Sequence, residues 1–391
     1  MLRGPVLDTI VVGGGPAGLY CALLLAEAGF DVAVVEEHDT VGIPTHCTGV
    51  VSDELSDLFK LPESLILSRP TTCVMASPTG RTFPFSSAEE GIVVIDRGEF
   101  DKELGAAATR AGVEITYGTQ VVQIRPEQAH VRVLGADGAA LAARTCVIAC
   151  GVGYGLQRQL GLGLPSHFLH SAQLEVDADI PDSAVELHLG RATAPEGFAW
   201  VVPVRRGECR RAKVGIMMRG DAASHVHRFL SWRSLGGPSA PSLPEPIRRL
   251  LPVGPASPTY GDRVLTIGDA AGLTKPTTGG GIFYSLLSAR LAAETLTKAL
   301  RDDRLSSADL AVYEARWRAQ LGPHLRISSR IRRLFTKLAD HEIDKLLGAL
   351  MSDDVQRVIR RTIRFNWQGE LIRALLRHPG VKSILLHTLL R

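Results

Sequence analysis

Residues 11–19 read V-V-G-G-G-P-A-G-L, and residues 34–37 read V-V-E-E. No other stretch limits the fold as much, because each glycine answers a different steric demand. Residues 9–12 predict a short buried strand. Gly13 lets the chain turn sharply, Gly15 lets backbone approach a pyrophosphate, and Gly18 lets the following helix pack close to the sheet. The free N–H groups and positive dipole end of that helix face the phosphates. Residues 19–28 supply its apolar body, Gly29 ends it, and residues 31–36 make the second strand. Glu36 then falls roughly 20 residues beyond the glycines, where an acidic ribose ligand belongs. Strand, helix, strand and acidic end stand in register and predict nucleotide binding. The plainer reading is a glycine-rich loop opening an ordinary βαβ unit.

The 391 residues suffice for two domains, or for one with a large insertion. A net charge of +3 is small for this length and argues against nucleic acid as a partner. No leader pattern opens the chain, since the first apolar strand already belongs to the fold. No apolar run approaches the ~20 residues of a spanning helix. The chain therefore reads as cytoplasmic, with attachment to a membrane surface left open. Its six cysteines show neither a C-x-x-C pair nor zinc spacing, so no metal site is expected. Cys146 and Cys150 share a face of a buried strand, and Cys21, Cys73 and Cys209 read as small core or surface residues of a reducing compartment. Cys47 stands apart.

A second cofactor segment lies at 262–282, D-R-V-L-T-I-G-D-A-A-G-L-T-K-P-T-T-G-G-G-I. A strand at 264–267 ends at Gly268-Asp269, and a carboxylate there can accept a hydrogen bond from the ribityl chain of a flavin. Glycines 279–281 open an apolar helix over 282–300. Its N-terminus, at Gly281 and Ile282, supplies N–H donors and positive potential where a reduced flavin gathers negative charge. An NAD dehydrogenase does not need this second grip; FAD does. A third piece, I-V-V-I-D-R-G-E-F-D-K-E-L at 92–104, sets Arg97 between a strand and a helix. Arg97 reads as a phosphate or ribose contact, and Val121, in a strand over 114–124, as backbone presented to the adenine.

These three segments in this order resemble the FAD-dependent group that includes para-hydroxybenzoate hydroxylase, flavin halogenases and geranylgeranyl reductases. Within it the chain is similar to the geranylgeranyl reductase family, including the archaeal digeranylgeranylglycerophospholipid reductases. That likeness rests on E-E-H-D-T-V-G-I-P-T-H-C-T-G-V-V-S (36–52), G-F-A-W-V-V-P (197–203) and G-D-A-A-G-L-T-K-P-T-T-G-G-G-I (268–282). It covers roughly residues 5–300. It implies FAD contacts at Ala17, Glu36, Cys47, Thr48, Val50, Arg97, Val121, Asp269, Gly281 and Ile282. Two departures stand out. Family members often carry C-G-E-G where this chain has C-T-G-V, which shifts the contacts around Thr48 to Val50. Hydroxylases often carry an Asp-Gly pair where residues 150–155 read C-G-V-G-Y-G, which weakens a hydroxylase reading.

Phe198, Trp200 and Val202 alternate with Ala199 and Val201, the period of a strand that ends at Pro203. The resemblance places this strand in the sheet that walls the substrate pocket opposite the flavin. An apolar aromatic wall suits an isoprenoid chain, which gains about 0.8 kcal/mol per buried CH₂. The other reading is a core strand that happens to be aromatic. His46 and Cys47 follow the second strand in a loop entered by Pro44. Either the thiol and imidazole relay a proton beside a flavin, or Cys47 packs on the ring and His46 faces solvent. Lys275 either adds positive charge near the flavin or is an exposed loop lysine. Cys47 and Trp200 are the candidate catalytic residues, and Phe198, Trp200 and Val202 the candidate substrate contacts.

The expected activity is stepwise reduction of prenyl double bonds, by hydride from reduced FAD and a proton from Cys47 or water. The electron donor is transiently bound NAD(P)H or a redox partner such as ferredoxin, since no second nicotinamide fingerprint occurs. The alternatives are a flavin halogenase or monooxygenase, because G-F-A-W-V-V-P also resembles G-W-x-W-x-I-P, and an electron carrier without its own substrate.

The predicted fold is α/β: a Rossmann-type FAD-binding domain with an inserted antiparallel-sheet substrate domain and a helical C-terminal region. The FAD domain takes residues 1–70, 90–165 and 255–300, the sheet 71–89 and 166–254, and the helical region 301–391. Helices are expected over about 311–338, 353–365 and 368–377, with a last one after Pro379-Gly380. Between 353 and 364, Val355, Val358, Ile359 and Ile363 form one face while Arg357, Arg360, Arg361 and Arg364 crowd the rest. Such a helix either lies on an anionic lipid surface or covers the flavin domain with its arginines in water.

Overall fold

The computed structural model describes residues 6–45, 47–86, 91–235 and 244–389. His46 and the parts of the expected segments at 87–90, 236–243 and 390–391 lie outside them. The chain forms two compact units, Met1–Thr45, Arg97–His167 and Pro252–Leu325 in the first, and His46–Asp96, Phe168–Leu251 and Arg326–Arg391 in the second.

The first unit is built on a mostly parallel sheet. Strand Leu7–Val12 pairs in parallel with Val32–Val35 on one side and Ala140–Ile148 on the other. Glu114–Thr116 and Val264–Thr266 extend it in parallel at the two sides. Ile10, Val11, Val34, Val147 and Ile148 are fully buried, as continuous apolar runs are when a parallel sheet is covered on both faces. Helix Pro16–Glu27 packs beside helices Arg97–Arg110 and Ile282–Arg301. The strand expected over 114–124 is two strands, Glu114–Thr116 and Val121–Pro126. Gly118, at φ +65°, donates to the His38 carbonyl, and Thr119 to that of Glu36. These bonds turn the chain out of the parallel sheet and into an antiparallel hairpin with Val131–Gly135.

The second unit holds a seven-stranded sheet ordered Ile247–Val253, His167–Asp177, Cys209–Met218, Phe198–Arg206, Ala184–His188, Thr72–Ala76 and Thr82–Phe85. Its central pairs are antiparallel, but Ala184–His188 and Thr72–Ala76 run parallel, so the sheet is mixed. A small sheet of Val50–Ser52, Ile92–Ile95 and Ile66–Ser68 belongs to the same unit. Because Val50–Ser52 and Ile66–Ser68 both pair with Ile92–Ile95, residues 46–70 group here rather than with the nucleotide fold, and the first unit resumes only at Arg97.

One face of the large sheet is closed by helix Ala222–Arg233. Ala199, Val201, Val214, Ile216, Ala172 and Leu174 pack there with Val226, Phe229 and Leu230. By strand alternation, Phe198, Trp200 and Val202 point to the other face.

The C-terminal region is not one layer. Helix Ser307–Gln320, opened by Ser306 in a capping box with Asp309, packs in the first unit. The single helix expected over 311–338 breaks at Leu321, because Pro323 has no N–H with which to continue the ladder, and Gly322–Phe335 follows. A helix that was not expected, Asp340–Leu350, comes next, before Asp353–Thr362, Gly369–Arg377 and Pro379–Leu389. Val355 and Ile359, 0% and 3% exposed, sit in a core with Phe83, Phe85, Leu189, Leu338, Ile343 and Leu347. The basic helix therefore lays its apolar stripe on the mixed-sheet unit, while Arg357, Arg360 and Arg361 remain exposed. Among the described residues no helix is long and apolar enough to cross a membrane.

Ile359→Ala tests this seating. Removing a buried isoleucine side chain should cost about 2–5 kcal/mol and visibly lower the melting temperature. An unchanged melting temperature would mean that the helix does not rest on this core.

Candidate functional site

The nucleotide unit brings its glycines together by close approach of backbone. A Cβ on Gly18 would stand 2.0 Å from the Gly13 carbonyl oxygen, and one on Gly13, at φ +110°, 2.6 Å from that of Ala149. Helix Pro16–Glu27 can therefore begin directly against the strand. A Cβ on Gly15 would meet nothing within 4 Å. Here the helix has an open approach, with neither a side-chain cap nor an acidic group in its first turn. Glu36, 7% exposed, ends the second strand. One carboxylate oxygen accepts the Gly14 N–H, and the other accepts His38 N–H at 3.0 Å and lies against His38 Nδ1. The acidic end of the motif is thus fixed over the glycine loop.

The late segment converges on the same place. A Cβ on Gly268 would lie 3.0 Å from Ala17 Cβ, so the turn carrying Asp269 abuts the start of the first helix. Tyr154 donates to the Asp269 carbonyl at 3.0 Å. A Cβ on Gly281 would lie 3.0 Å from Asp269 Oδ1. Gly281 is the N-cap of Ile282–Arg301, whose first turn also has no side-chain cap and no acidic residue. Lys275 is only 4% exposed and its stem crosses Gly280, where a Cβ would stand 2.9 Å from Lys275 Cε. The reading of Lys275 as an exposed loop lysine is thereby overturned. Arg97 opens helix Arg97–Arg110 and is held by Asp101, with Nε at 3.0 Å, in a pair whose side chains are 15% and 7% exposed. Val121 starts its strand opposite Gly135. Open glycine backbone, two uncapped helix starts and two positioned carboxylates fit a dinucleotide of the FAD type, gripped at both ends.

The remaining expected residues belong to the mixed-sheet unit. Thr48 donates to Gln173 Oε1 at 2.6 Å, and its carbonyl accepts Lys213 Nζ at 2.9 Å. Gly49, at φ +82°, donates to Cys47 Sγ at 3.4 Å and approaches Ile95 so closely that a Cβ would stand 2.3 Å from its carbonyl oxygen. Val50 then pairs with Val94. Trp200 lies opposite Gly215 and Val202 opposite Lys213; Gln173 and Glu175 stand beyond them in the same two rows. The 47–49 turn therefore docks on the sheet face that carries Trp200. The Trp200 indole lies flat over Gly215, where a Cβ would come within 2.2 Å of the ring. Phe198 meets it edge-on at 5.9 Å and also packs on the cluster lined by the C-terminal helices. Trp200 is 8% exposed, yet its Nε1–H has no acceptor among the described residues. A buried indole usually finds one; here the N–H is pressed over Gly215 instead.

Sequence reasoning missed Lys213, Gln173 and Gly215. The signal was present in R-A-K-V-G-I-M (211–217), where a lysine and a glycine alternate with core residues. Lys213 is 4% exposed. Burial pushes its ammonium below the ordinary lysine value, although Cys47 and Glu175 favour the charge. Burial alone would lift Glu175, but Arg206 and Arg211 hold its carboxyl below the usual carboxylate range.

Residues 11–62 match the NAD(P)-binding Rossmann-like domain, and residues 246–359 match the lycopene cyclase protein family. Digeranylgeranylglycerophospholipid reductase 2 of Methanopyrus kandleri is 30% identical over 379 residues, 90% of this chain and 92% of the relative. The chain belongs to that reductase family. Among solved structures, a geranylgeranyl bacteriochlorophyll reductase-like protein of Thermoplasma acidophilum matches with a TM-score of 0.84 at 21% identity, over 98% of this chain and 99% of that one. A triple mutant of a flavin-dependent brominase matches with 0.73 at 16% identity, over 97% and 98%. These two likenesses are of fold. They place the reductase-family chain on an architecture that brominases share.

Gly215→Ala should push the Trp200 indole off the sheet at a cost of roughly 1–3 kcal/mol. Trp200 is one of four tryptophans, so its movement should red-shift the protein's emission. A variant with wild-type emission and stability would show that the ring does not depend on this glycine.

Proposed function

We propose that this chain is an FAD-dependent oxidoreductase that saturates carbon–carbon double bonds of a prenyl lipid chain of the geranylgeranyl type. The observation that carries the reading is kinship over 90% of the chain with a reductase named for such a lipid. The buried aromatic sheet face and the doubly gripped dinucleotide cradle support it. When bound, reduced FAD supplies the hydride.

The protein's own residues do the rest. Gly13, Gly15, Ala17 and Gly18 present backbone to the pyrophosphate, Glu36 binds the ribose, and Arg97 and Val121 complete the adenosine end. Asp269 holds the ribityl chain, and the Gly281 and Ile282 amides place positive potential at the ring. Cys47, Thr48 and Val50 would contact FAD as well. Phe198, Trp200 and Val202 bind the prenyl chain and exclude water, and Cys47 holds at Sγ the proton delivered to the carbon next to the reduced one.

Electrons arrive from NAD(P)H or from a ferredoxin-type partner. We place the protein in the cytoplasm. Contact with an anionic membrane, from which the lipid is drawn, falls to the exposed Arg357, Arg360 and Arg361, because the apolar side of their helix is buried. Halogenation has in its favour the shared fold and the likeness of G-F-A-W-V-V-P to G-W-x-W-x-I-P.

The purified protein should be yellow. Once reduced and mixed with a geranylgeranyl lipid, it should yield products heavier by two hydrogens per double bond. A lipid recovered unchanged by mass spectrometry, from protein that holds FAD, would remove the assignment. Oxygen-dependent halide incorporation would replace it.

A further inference from the structure

We propose that Tyr154, seconded by Gln157, is a positioning residue for FAD: from a segment that lies against Gly13 it fixes the turn carrying Asp269, and so sets the spacing between the two ends of the cofactor cradle. The proposal rests on the reading of Asp269 as a flavin ligand.

Strand Ala140–Ile148 leads into C-G-V-G-Y-G at 150–155. The segment starts under the glycine loop. The Ala149 N–H donates to the Val12 carbonyl at 2.8 Å, and the Ala149 carbonyl fills the space that a Cβ on Gly13 would need. Cys150 Sγ then donates to the Gly153 carbonyl at 3.2 Å, with Gly151 at φ +63°, which closes the chain into a tight bend. That bend delivers Tyr154, 7% exposed, to the Asp269 carbonyl, to which its hydroxyl donates at 3.0 Å. One turn further along helix Gly155–Gln159, the fully buried Gln157 amide donates to the Ala270 carbonyl at 3.4 Å. Consecutive carbonyls of one turn are thus held by two side chains of one short segment.

The turn needs such an anchor. Gly268–Ala271 is a single turn of 3₁₀ helix, entered by Gly268 at φ +61° and left by Gly272 at φ +66°. Glycine is permissive in its backbone angles, so the chain on either side does not by itself fix where the turn points. Ser288 accepts the Gly268 N–H at 3.0 Å, and Tyr313 donates to the Thr266 carbonyl at 2.9 Å. Both hold the strand side of the turn. Tyr154 and Gln157 hold the residue that bears the carboxylate and the one after it. Asp269 Oδ1 would stand 3.0 Å from a Cβ on Gly281, so any swing of the turn shifts the carboxylate against the second helix start. Gln157 keeps its place although its Oε1 has no partner among the described residues, a cost that a leucine there would not carry. A cradle set before the cofactor arrives loses less freedom on binding.

The test compares FAD with ADP, which carries the adenosine and pyrophosphate but no flavin, on the full chain stripped of cofactor. Dissociation constants are read by titration calorimetry. Tyr154→Phe keeps the ring and removes only the hydroxyl. It should weaken FAD binding roughly fivefold and leave ADP binding within about twofold of wild type. A side chain that merely supported the nucleotide fold would weaken both ligands together. Gln157→Met removes the second donor and should weaken FAD binding with ADP binding unchanged; it carries the same contrast if Tyr154→Phe does not fold. Equal losses for FAD and ADP overturn the proposal, as does FAD binding of wild-type strength in Tyr154→Phe. Wild-type protein that binds ADP but not FAD would remove the flavin reading of Asp269, and this inference with it. No lipid enters the readout. A selective loss of FAD affinity in a protein that reduces no lipid would sustain this inference while removing the proposed activity.

Discussion

The nucleotide unit depends on one close approach. Helix Pro16–Glu27 starts where Gly13 and Gly18 let two stretches of backbone come nearer than any side chain would permit. That contact sets the first helix against the central strand and leaves its opening amides uncovered beside Gly15. The turn at Gly268 then touches Ala17, so the second uncapped helix start is placed relative to the first. Two helix ends with positive potential, each with a carboxylate beside it, suit a dinucleotide of the FAD type held at both ends. Substituents as small as a methyl group would separate these parts.

The mixed-sheet unit solves a different problem with alternation. Its large sheet buries small and branched residues beneath helix Ala222–Arg233 and turns Phe198, Trp200, Val202, Lys213 and Gln173 to the other face. That face is apolar toward the strand Thr82–Phe85, where the C-terminal helices close over it. It is charged toward Glu175 and Arg206. The Cys47 turn lands at the junction of the two regions, tied by one uncharged hydrogen bond and one ammonium. An apolar wall and a buried ammonium thus stand side by side on one face of the sheet.

Much of the site was legible because its motifs are local. The spacing of Gly13, Gly15 and Gly18, the acidic end at Glu36 and the Asp269–Gly281 pair each follow from the geometry of one turn or one helix start, and the structure brings them together. The alternation of Phe198, Trp200 and Val202 was equally readable. Other features were not. The break at Tyr117–Gln120 arises from hydrogen bonds to His38 and Glu36, which lie some eighty residues away. Residues 46–70 look continuous with the nucleotide fold along the chain, but pairing with Ile92–Ile95 moves them to the other unit. Helix Asp353–Thr362 announced an apolar stripe without announcing what would cover it.

From the sequence alone came the three cofactor segments, the aromatic strand and the reductase family. All of these are written in short-range spacing, which steric rules translate directly into backbone shape. The tertiary structure alone decided that Lys213, Gln173 and Gly215 share a face with Trp200, that the Thr48 carbonyl rests on a buried ammonium, and that the basic C-terminal helix seals a sheet. Those outcomes depend on strand register and on which surfaces meet. Strand pairs such as Trp200 with Gly215 and Gln173 with Gly215 set the first, and contacts as distant along the chain as Lys213 with Thr48 set the second; local periodicity carries no record of either.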